Sequence, residues 1–316
     1  MAWTDFEHQI WKALKKHELD DAQDFIVAVS GGIDSMALLN VMLTLKPQAH
    51  FTVAHFHHGD AENAAQQDYR DRCVQTIADF IEKHSDKKIS FITEKSKTHL
   101  KSEAEMRDGR WSFIQKLRDK DQPILTAHHL DDWVETLTLK LIRGVGVQGF
   151  TAFRDWDGII FRPFLRHHKT DLQAYAEEKK IGFVEDPSND SDQYLRNWLR
   201  HEWFRSLDEK NPSGYQNYSR SLLQLQQALQ ETDVLELQFF DNNHAAGLDR
   251  NWFFSLSEMY QLKALAQFLR SQNIFSFTTG QLKEIKKRLD KNQKDLTFTV
   301  INVKWVINAS QIMIEL

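Results

Sequence analysis

Residues 27–39, VAVSGGIDSMALL, decide the fold of this chain. An apolar, β-rich run at 25–29 precedes the Ser-Gly-Gly turn, and an apolar run of helical length, 36–45, follows it. Glycine permits close approaches that a Cβ blocks, and a helix N-terminus presents free N–H groups and the positive end of its dipole. The stretch therefore predicts a strand, an anion-binding turn and a helix. The alternative is an ordinary glycine turn before a helix capped by Asp34.

Short β-rich runs alternate with segments of helical length along the first half of the chain. The runs are 25–29, 51–55, 89–92 and 124–127; the helical segments are 35–45, 61–83, 101–118 and 131–143. Alternation of this kind predicts a parallel, doubly wound sheet, in which ligands bind beyond the carboxyl ends of the strands. We therefore expect residues 30–35, 55–59 and 126–132 to lie along one edge of the sheet.

The pattern changes after residue 149. A hairpin-like piece is predicted at 151–161, a helix at 170–180, a turn-rich loop at 183–190, a helix from about 191, a long connector helix at 216–231, helices at 252–272 and 279–290, and alternating strands to the end. The fold class expected is α/β: a doubly wound parallel sheet, a helical connector and a small α+β C-terminal domain. We place a catalytic domain at 1–212, and the connector with the small domain at 213–316.

Composition excludes several classes of protein. The single cysteine, Cys73, excludes an intrachain disulfide, a cysteine-ligated zinc site and a cysteine-held iron–sulfur cluster. The apolar runs fall well short of the ~18 residues of a membrane span, and the charged N-terminus lacks an apolar signal core, so a cytoplasmic protein is expected. Net charge is −5, yet the segments 161–169 and 194–205 are basic, which leaves room for a nucleic-acid surface.

The stretch TAHHLDDWVET, residues 126–136, carries the second set of polar groups. Asp131, Asp132 and Glu135 are spaced to project from one helical turn, where like charges repel. An ammonium group or a magnesium ion between them would offset that repulsion, whereas acids in a first turn can also simply complement the helix dipole. His128 precedes the helix, and both a structural and a catalytic role are open for it.

Together these motifs resemble a known family. SGGIDS with TAHHLDDWVET is similar to the pyrophosphate-binding loop and its partner motif in N-type ATP pyrophosphatases, the PP-loop family. Within that group the chain resembles the short form of the tRNA(Ile)-lysidine synthetases. The added matches are KSEAEMRDGRW (101–111), LIRGVGVQG (141–149), FRPFL (161–165) and EDPSNDSDQYLRNWLR (185–200). The resemblance covers roughly residues 24–205.

The resemblance implies a reaction and its partners. ATP activates the C2 carbonyl oxygen of the wobble cytidine in a tRNA(Ile) with a CAU anticodon, and pyrophosphate leaves. The ε-amine of free L-lysine then attacks C2, and AMP leaves. The expected protein is thus an ATP-dependent ligase that forms a carbon–nitrogen bond. It would use ATP and Mg²⁺ and bind tRNA(Ile) and lysine but no membrane, with a homodimer possible.

The resemblance also implies roles for individual residues. ATP would be bound by Ser30, Gly31, Gly32, Ile33, Asp34, Ser35 and His55. The catalytic residues would be Asp34, Arg107, Arg110, His128 and Asp132. Lysine would be held by Asp132, Glu135 and Arg200. The tRNA would meet Arg162, Arg166, Arg196 and Arg200, together with basic residues of the tail. Magnesium would be held by Asp34.

The chain departs from the family pattern after the second strand. The family usually shows His-x-x-His-Gly followed by leucine and arginine, whereas here Asp60 and Ala61 follow His55, His58 and Gly59. Any contact of that arginine is therefore in doubt. Some members carry a further C-terminal domain; the final QIMIEL, which resembles a last strand, favours the short form.

Three alternatives remain open. A tRNA-thiolating PP-loop enzyme shares the loop but needs paired cysteines. Small-molecule amidating relatives such as NAD synthetases lack the 185–200 motif. A non-catalytic nucleotide sensor would need the anion loop but neither Asp132 nor Glu135.

Overall fold

A computed structural model describes residues 3–61, 63–96, 100, 102–119, 121–151, 153–185, 195–237, 247–272, 274, 277–290 and 295–315. The chain divides into two compact units, Met1–Gln226 and Gln227–Leu316. The sequence-based division at 212/213 stays a prediction beside this one. The stretch 186–194 of the EDPSND motif, with its predicted helix start, lies outside the described residues.

The first unit is built on a five-stranded parallel sheet. Its strands are β1 (Asp24–Ala28), β2 (His50–His57), β3 (Lys88–Lys95), β4 (Ile124–Leu125) and β5 (Ile160–Phe161), in the order β3-β2-β1-β4-β5. Its helices are α1 (Asp5–Lys16), α2 (Ile33–Leu45), α3 (Ala64–Lys83), α4 (Glu103–Leu117), α5 (Leu130–Ile142), α6 (Val147–Thr151), α7 (Lys169–Glu178), α8 (Leu195–Trp198) and α9 (Phe204–Lys210). Helix α10 (Gly214–Leu237) begins in the first unit and ends in the second. A π-helical turn, Leu199–Trp203, joins α8 to α9.

The four predicted strands and the doubly wound topology are confirmed. The hairpin predicted at 151–161 is wrong, because β5 pairs with β4 in parallel and the antiparallel element there is the single bridge between Trp156 and Phe161. Strand β5 has two residues, which is too short for its periodicity to distinguish it from a loop. Strand order reverses between β1 and β4, so the loops after these strands flank the crevice where such sheets bind ligands.

The core of the first unit explains why the central strands read as continuous apolar runs. Phe25, Val27, Phe51 and Val53 of β1 and β2 are fully buried, and α2 packs Met36 and its apolar neighbours against them. A parallel sheet covered on both faces has no solvent side for polar residues. The polar groups of these strands are therefore displaced to the strand ends.

The second unit contains β6 (Leu248–Asp249), α11 (Arg250–Ser255), α12 (Glu258–Ser271), α13 (Thr279–Leu289), β7 (Leu296–Val300), β8 (Val303–Ile307) and β9 (Gln311–Glu315). Its antiparallel sheet has the order β6-β9-β8-β7 and packs around Trp305, Phe253 and Ile312. The small α+β module is confirmed, but the helix predicted at 252–272 is two helices. In the described part of the chain, no helix has the length and apolarity that a bilayer crossing requires.

Candidate active site

The SGGIDS turn is held in shape by its own side chains and by the neighbouring helix. The hydroxyl oxygen of Ser35 accepts hydrogen bonds from the N–H groups of Ser30 and Gly31 at 3.1 and 3.2 Å, and the hydroxyl donates to the carbonyl of Gly32 at 2.9 Å. Gly31 has φ +93°, and a Cβ there would lie 2.8 Å from the Cβ of Cys73 on α3. The loop is thus fixed before any ligand arrives.

Helix α2 begins directly after this turn. Its N-cap is Gly32, whose lack of a side chain leaves the first N–H groups without a capping oxygen. The alternative in which Asp34 caps the helix is therefore wrong. Uncapped N–H groups and the helix dipole make this an anion-binding end.

A cavity of about 580 Å³ opens at the carboxyl ends of β1, β2 and β4, and we call it the strand-end cavity. Eight of the predicted ATP-binding and catalytic residues line it: Ser30, Asp34, Ser35, His55, Arg107, Arg110, His128 and Asp132. Ser30, Asp34, Ser35, His55, His128 and Asp132 lie in the stretches that were expected at the strand ends. Arg107 and Arg110 come from helix α4. The volume is within the range of roughly 300–1,000 Å³ that small-molecule sites occupy.

Helix α4 brings two arginines to this cavity. Gly109 lies against Phe56 of β2 so closely that a Cβ would be 3.0 Å from the ring. The close packing places Arg107 and Arg110, on either side of the glycine, at the cavity wall. The KSEAEMRDGRW motif thus supplies positive charge to the strand ends.

His55 and His128 face the same cavity but differ in role. The Nδ1 of His55 lies 2.9 Å from the carbonyl of Val29, a hydrogen bond that ties the end of β2 to that of β1. His128 hydrogen-bonds to the hydroxyl of Thr126 at 2.9 Å, and the surrounding protein disfavours its charged form by desolvation. The pKa of His128 consequently falls to about 4. A neutral imidazole can accept a proton, but it offers no fixed positive charge.

The three carboxylates at the start of α5 diverge to different partners. Asp131 accepts hydrogen bonds from His168, from the N–H of Lys169 and from the hydroxyl of Tyr215, at 2.9, 2.7 and 2.6 Å. Burial opposes ionisation of Asp131, but these donors prevail and hold its pKa well below the usual range. Asp131 therefore anchors the helix.

Glu135 meets a cation that the protein itself provides. Its side chain is 1% exposed, and Arg200 donates to both of its carboxylate oxygens at 2.7 and 3.0 Å. Burial raises the pKa of Glu135, and the arginine opposes that shift. Arg200 sits in the π-helical turn, a geometry that is frequent at functional sites, and also lies 3.8 Å from Asp132. The guanidinium of Arg200 therefore supplies part of the positive charge that was expected between these acids.

A second cavity, of about 720 Å³, adjoins the other side of this helix start, and we call it the helix cavity. Its lining includes Asp131, Glu135, Lys169, Arg200 and Tyr215. The first turn of α5 therefore separates two cavities: His128 and Asp132 face the first, and Asp131 and Glu135 face the second.

Asp34 and Asp132 both approach the same nitrogen of one buried histidine. The Nε2 of His129 is 3.9 Å from Asp34 and 3.5 Å from Asp132. Burial raises the pKa of Asp34, and its Oδ1 is buried without a hydrogen-bond partner among the described residues. An unsatisfied carboxylate oxygen beside a second carboxylate is suited to a divalent cation that also binds phosphates.

The arginines predicted to meet tRNA fall into different environments. Arg162 is 7% exposed, donates twice to Asp157 at 3.0 Å and lies over the Phe153 ring, so it holds the turn before β5 and offers no open surface to a phosphate. Arg166 is exposed. Arg196, on α8, is partly exposed and lies 3.6 Å from Glu135. Of this set, Arg166 and Arg196 keep exposed surface that an RNA could contact, whereas the guanidinium of Arg200 is engaged by Glu135.

Sequence patterns did not single out four residues of this region. His129 caps α5, and Lys169, Tyr215 and His168 complete the surroundings of Asp131. The histidine doublet 128–129 was the one local signal for His129. The others reach Asp131 from 37 or more positions along the chain, which no local pattern reveals.

Comparison with known proteins agrees with this geometry. Residues 3–207 match the PP-loop domain family. A tRNA(Ile)-lysidine synthase of Bdellovibrio bacteriovorus is 36% identical, over 99% of this chain and 98% of the relative. One from Legionella pneumophila is 32% identical over 70% of this chain and 51% of its own length.

Among solved structures, the U34-tRNA thiolase of Methanococcus maripaludis, with its 4Fe-4S cluster, superposes with a TM-score of 0.55. It covers 71% of this chain and 78% of the thiolase at 15% identity, which shows a shared fold. The Bdellovibrio match extends over both units and both cavities. The chain therefore belongs to the tRNA(Ile)-lysidine synthase family of PP-loop proteins.

Proposed function

We propose that this protein is a tRNA(Ile)-lysidine synthase, an ATP-dependent ligase that joins the ε-amine of lysine to C2 of the wobble cytidine. The supporting observation is the pair of cavities on either side of the α5 N-terminus. One carries the PP-loop, two arginines and a neutral histidine; the other carries a buried carboxylate with its arginine. A two-step reaction with ATP, a nucleotide and an amino acid requires adjoining subsites, and these two cavities provide them.

ATP fits the strand-end cavity. The N–H groups at the uncapped start of α2 would hold its phosphates, and the Ser35 hydroxyl would keep the 30–35 loop in shape around them. Arg107 and Arg110 would stabilise the charge that develops on the α-phosphate as the C2 oxygen attacks and pyrophosphate leaves. His128, which is neutral at physiological pH, would receive a proton or a hydrogen bond beside the cytidine.

Magnesium fits the Asp34 side of the same cavity. The orphaned Oδ1 of Asp34, with Asp132 beside the same nitrogen of His129, gives one or two carboxylate ligands. Mg²⁺ is commonly bound by such a pair together with substrate phosphates, and when bound it would neutralise phosphate charge. No cluster of three or more His, Cys, Asp or Glu side chains suited to a metal occurs within the described ranges.

Lysine fits the helix cavity, where Glu135 and Arg200 present one negative and one positive group. Glu135 is buried and accepts from Arg200 through both oxygens, so it would position the guanidinium, which would hold the carboxylate of lysine. Asp132, which lies 3.8 Å from Arg200 and also lines the strand-end cavity, would stand where the ε-amine enters to attack C2.

The tRNA would be bound by Arg166 and Arg196 of the first unit and by the basic face of α13 in the second. On α13, Lys286 and Arg288 pair with acids one turn away, at 2.6 and 2.8 Å. Surface pairs of this kind are weak, so they exchange readily for phosphate contacts. A homodimer stays part of the proposal without a surface assigned to it.

A thiolating PP-loop enzyme is the second candidate, because its fold is shared. Cluster-dependent thiolation needs several cysteine ligands, and this sequence has one cysteine. A non-catalytic nucleotide sensor would not need the second cavity. The deciding experiment measures pyrophosphate release from ATP with and without a tRNA(Ile) transcript, and then transfer of labelled lysine to that transcript. Pyrophosphate release with no lysine transfer would refute the proposal.

A further inference from the structure

The end of β2 and helix α3 bring two groups to the strand-end cavity that the proposed ATP site does not use. His58 follows β2 and Arg70 lies on α3, and both line the cavity, as does Arg110 of α4. We call His58 and Arg70 the β2-end cluster. Arg110 and Arg70 are close enough for their charges to act on the His58 ring.

Arg70 is positioned by one hydrogen bond, and its other donors have no partner among the residues that the structure describes. Its Nη1 donates to the carbonyl of Gly59 at 2.9 Å, which uses one of the five N–H donors of the guanidinium. Within the described part of the chain, no carboxylate lies within ion-pair distance of Arg70. The acids nearest in sequence are engaged elsewhere: Asp68 pairs with Arg72 at 2.8 Å and Asp71 lies 3.5 Å from His57.

His58 presents an unsatisfied nitrogen at the same place. Its Nδ1 is buried and has no hydrogen-bond partner among the described residues. Burial and the two guanidinium groups lower the pKa of the ring to about 4, so the imidazole is neutral and carries one N–H. Buried polar atoms are rarely left without partners, which indicates that a ligand supplies one.

We propose that the β2-end cluster binds the backbone phosphate of the RNA nucleotide whose base enters the strand-end cavity. The inference rests on the proposed function, since it assumes that an RNA base is brought to ATP. The triphosphate is provided for by the 30–35 loop and the start of α2. A nucleotide placed for attack on the α-phosphate brings its own phosphodiester into the cavity. Arginine forks match phosphate oxygens, and the His58 N–H completes the set of donors.

The test compares Arg70→Gln and Arg70→Ala with Arg72→Ala. Glutamine keeps an N–H donor for Gly59 but loses the charge. Arg72 lies on the same helix, is 59% exposed and pairs with Asp68 at 2.8 Å, so it is a matched control. Thermal unfolding confirms that each variant folds. Affinity for tRNA(Ile) transcript is then titrated over a range of salt concentrations, and KM for ATP is measured separately.

We expect both Arg70 variants to bind the transcript about tenfold more weakly, with the slope of log affinity against log salt reduced by about one. KM for ATP should stay within about twofold, and Arg72→Ala should match the wild type. A raised KM for ATP with unchanged tRNA affinity would show that Arg70 serves the nucleotide and would overturn the inference. Unchanged tRNA affinity in both Arg70 variants would also overturn it.

The binding measurement separates this inference from the proposed function. Wild-type protein that binds the transcript but transfers no lysine would refute the function, whereas the Arg70 comparison would still test the phosphate subsite. Conversely, a wild type that transfers lysine while Arg70→Gln binds RNA normally would leave the function standing and refute the subsite.

Discussion

Replacing Glu135 by glutamine separates lysine binding from ATP activation. The substitution keeps the shape of the side chain and removes the charge that Arg200 meets at 2.7 and 3.0 Å. A hydrogen bond to a charged group contributes about 1.5–3 kcal/mol, which corresponds to roughly a tenfold to hundredfold change in affinity. Because Arg200 would hold the carboxylate of lysine, loss of its charged partner Glu135 should raise KM for lysine by at least about tenfold. The adenylated tRNA should still form, because Glu135 faces the helix cavity and not the strand-end cavity.

The same pair also contributes to stability, and this cost must be measured. Breaking a fully buried ion pair costs about 3–5 kcal/mol, but Arg200 is one-third exposed and solvent screens part of its charge. Glutamine retains one acceptor for the guanidinium, so we expect a fall in unfolding free energy below that range. Urea unfolding of Glu135→Gln beside Glu178→Gln, whose carboxylate is 58% exposed, measures the difference.

The assay traps the adenylated tRNA in the absence of lysine and then titrates lysine and magnesium separately. Rescue by high lysine supports the assignment. If Glu135→Gln forms no adenylate and extra magnesium restores it, the carboxylate serves the metal and the reasoning is refuted. Asp132→Asn, at the border of both cavities, should raise KM for lysine at least as much, and loss of its adenylate alone would assign Asp132 to magnesium.

Three further predictions concern Gly31 of the SGGIDS loop, His128, and the hydrogen bonds of Asp131. Gly31→Ala should abolish ATP-dependent pyrophosphate release and lower the Tm, because its Cβ would meet the Cα and Cβ of Cys73 at 2.9 and 2.8 Å. Gly144→Ala, also at positive φ but with no atom within 4 Å of the new Cβ, serves as the control; equal effects would refute the steric argument. The pKa of His128 is about 4, so this residue should not ionise near neutrality during turnover. The pH–rate profiles of the wild type and His128→Gln should therefore show the same ionisations near pH 7. Asp131 has a folded pKa below the ordinary aspartate value of 3.8, so its hydrogen bonds stabilise the protein above about pH 4 and this contribution is lost as pH falls further. In urea unfolding, Tyr215→Phe should lose less unfolding free energy on acidification than the wild type does. An unchanged pH dependence would count against the anchoring role of Asp131.

Local sequence patterns were sufficient for the frame of the molecule. Residues 25–45 form an apolar strand, a glycine turn and a helix. Neighbours within a few residues determine these elements, because strand burial, turn conformation and the helix start depend on local chemistry. The strand-end rule then carried the 30–35 loop, His55 and the 126–132 stretch to one cavity, because parallel strands end at the same edge of the sheet. The second module followed in the same way from its alternating strands.

Tertiary structure alone decided which charges meet. Arg200 reaches Glu135 across 65 positions and Tyr215 reaches Asp131 across 84, so no periodicity relates them. The same holds for Cys73 beneath the PP-loop. Arg162 looked like a basic surface residue, yet a turn of its own segment pairs it with Asp157 and buries it. Sequence gives the charge of a side chain, but its partner and exposure depend on packing between distant segments, and these determine whether it holds the fold or a substrate.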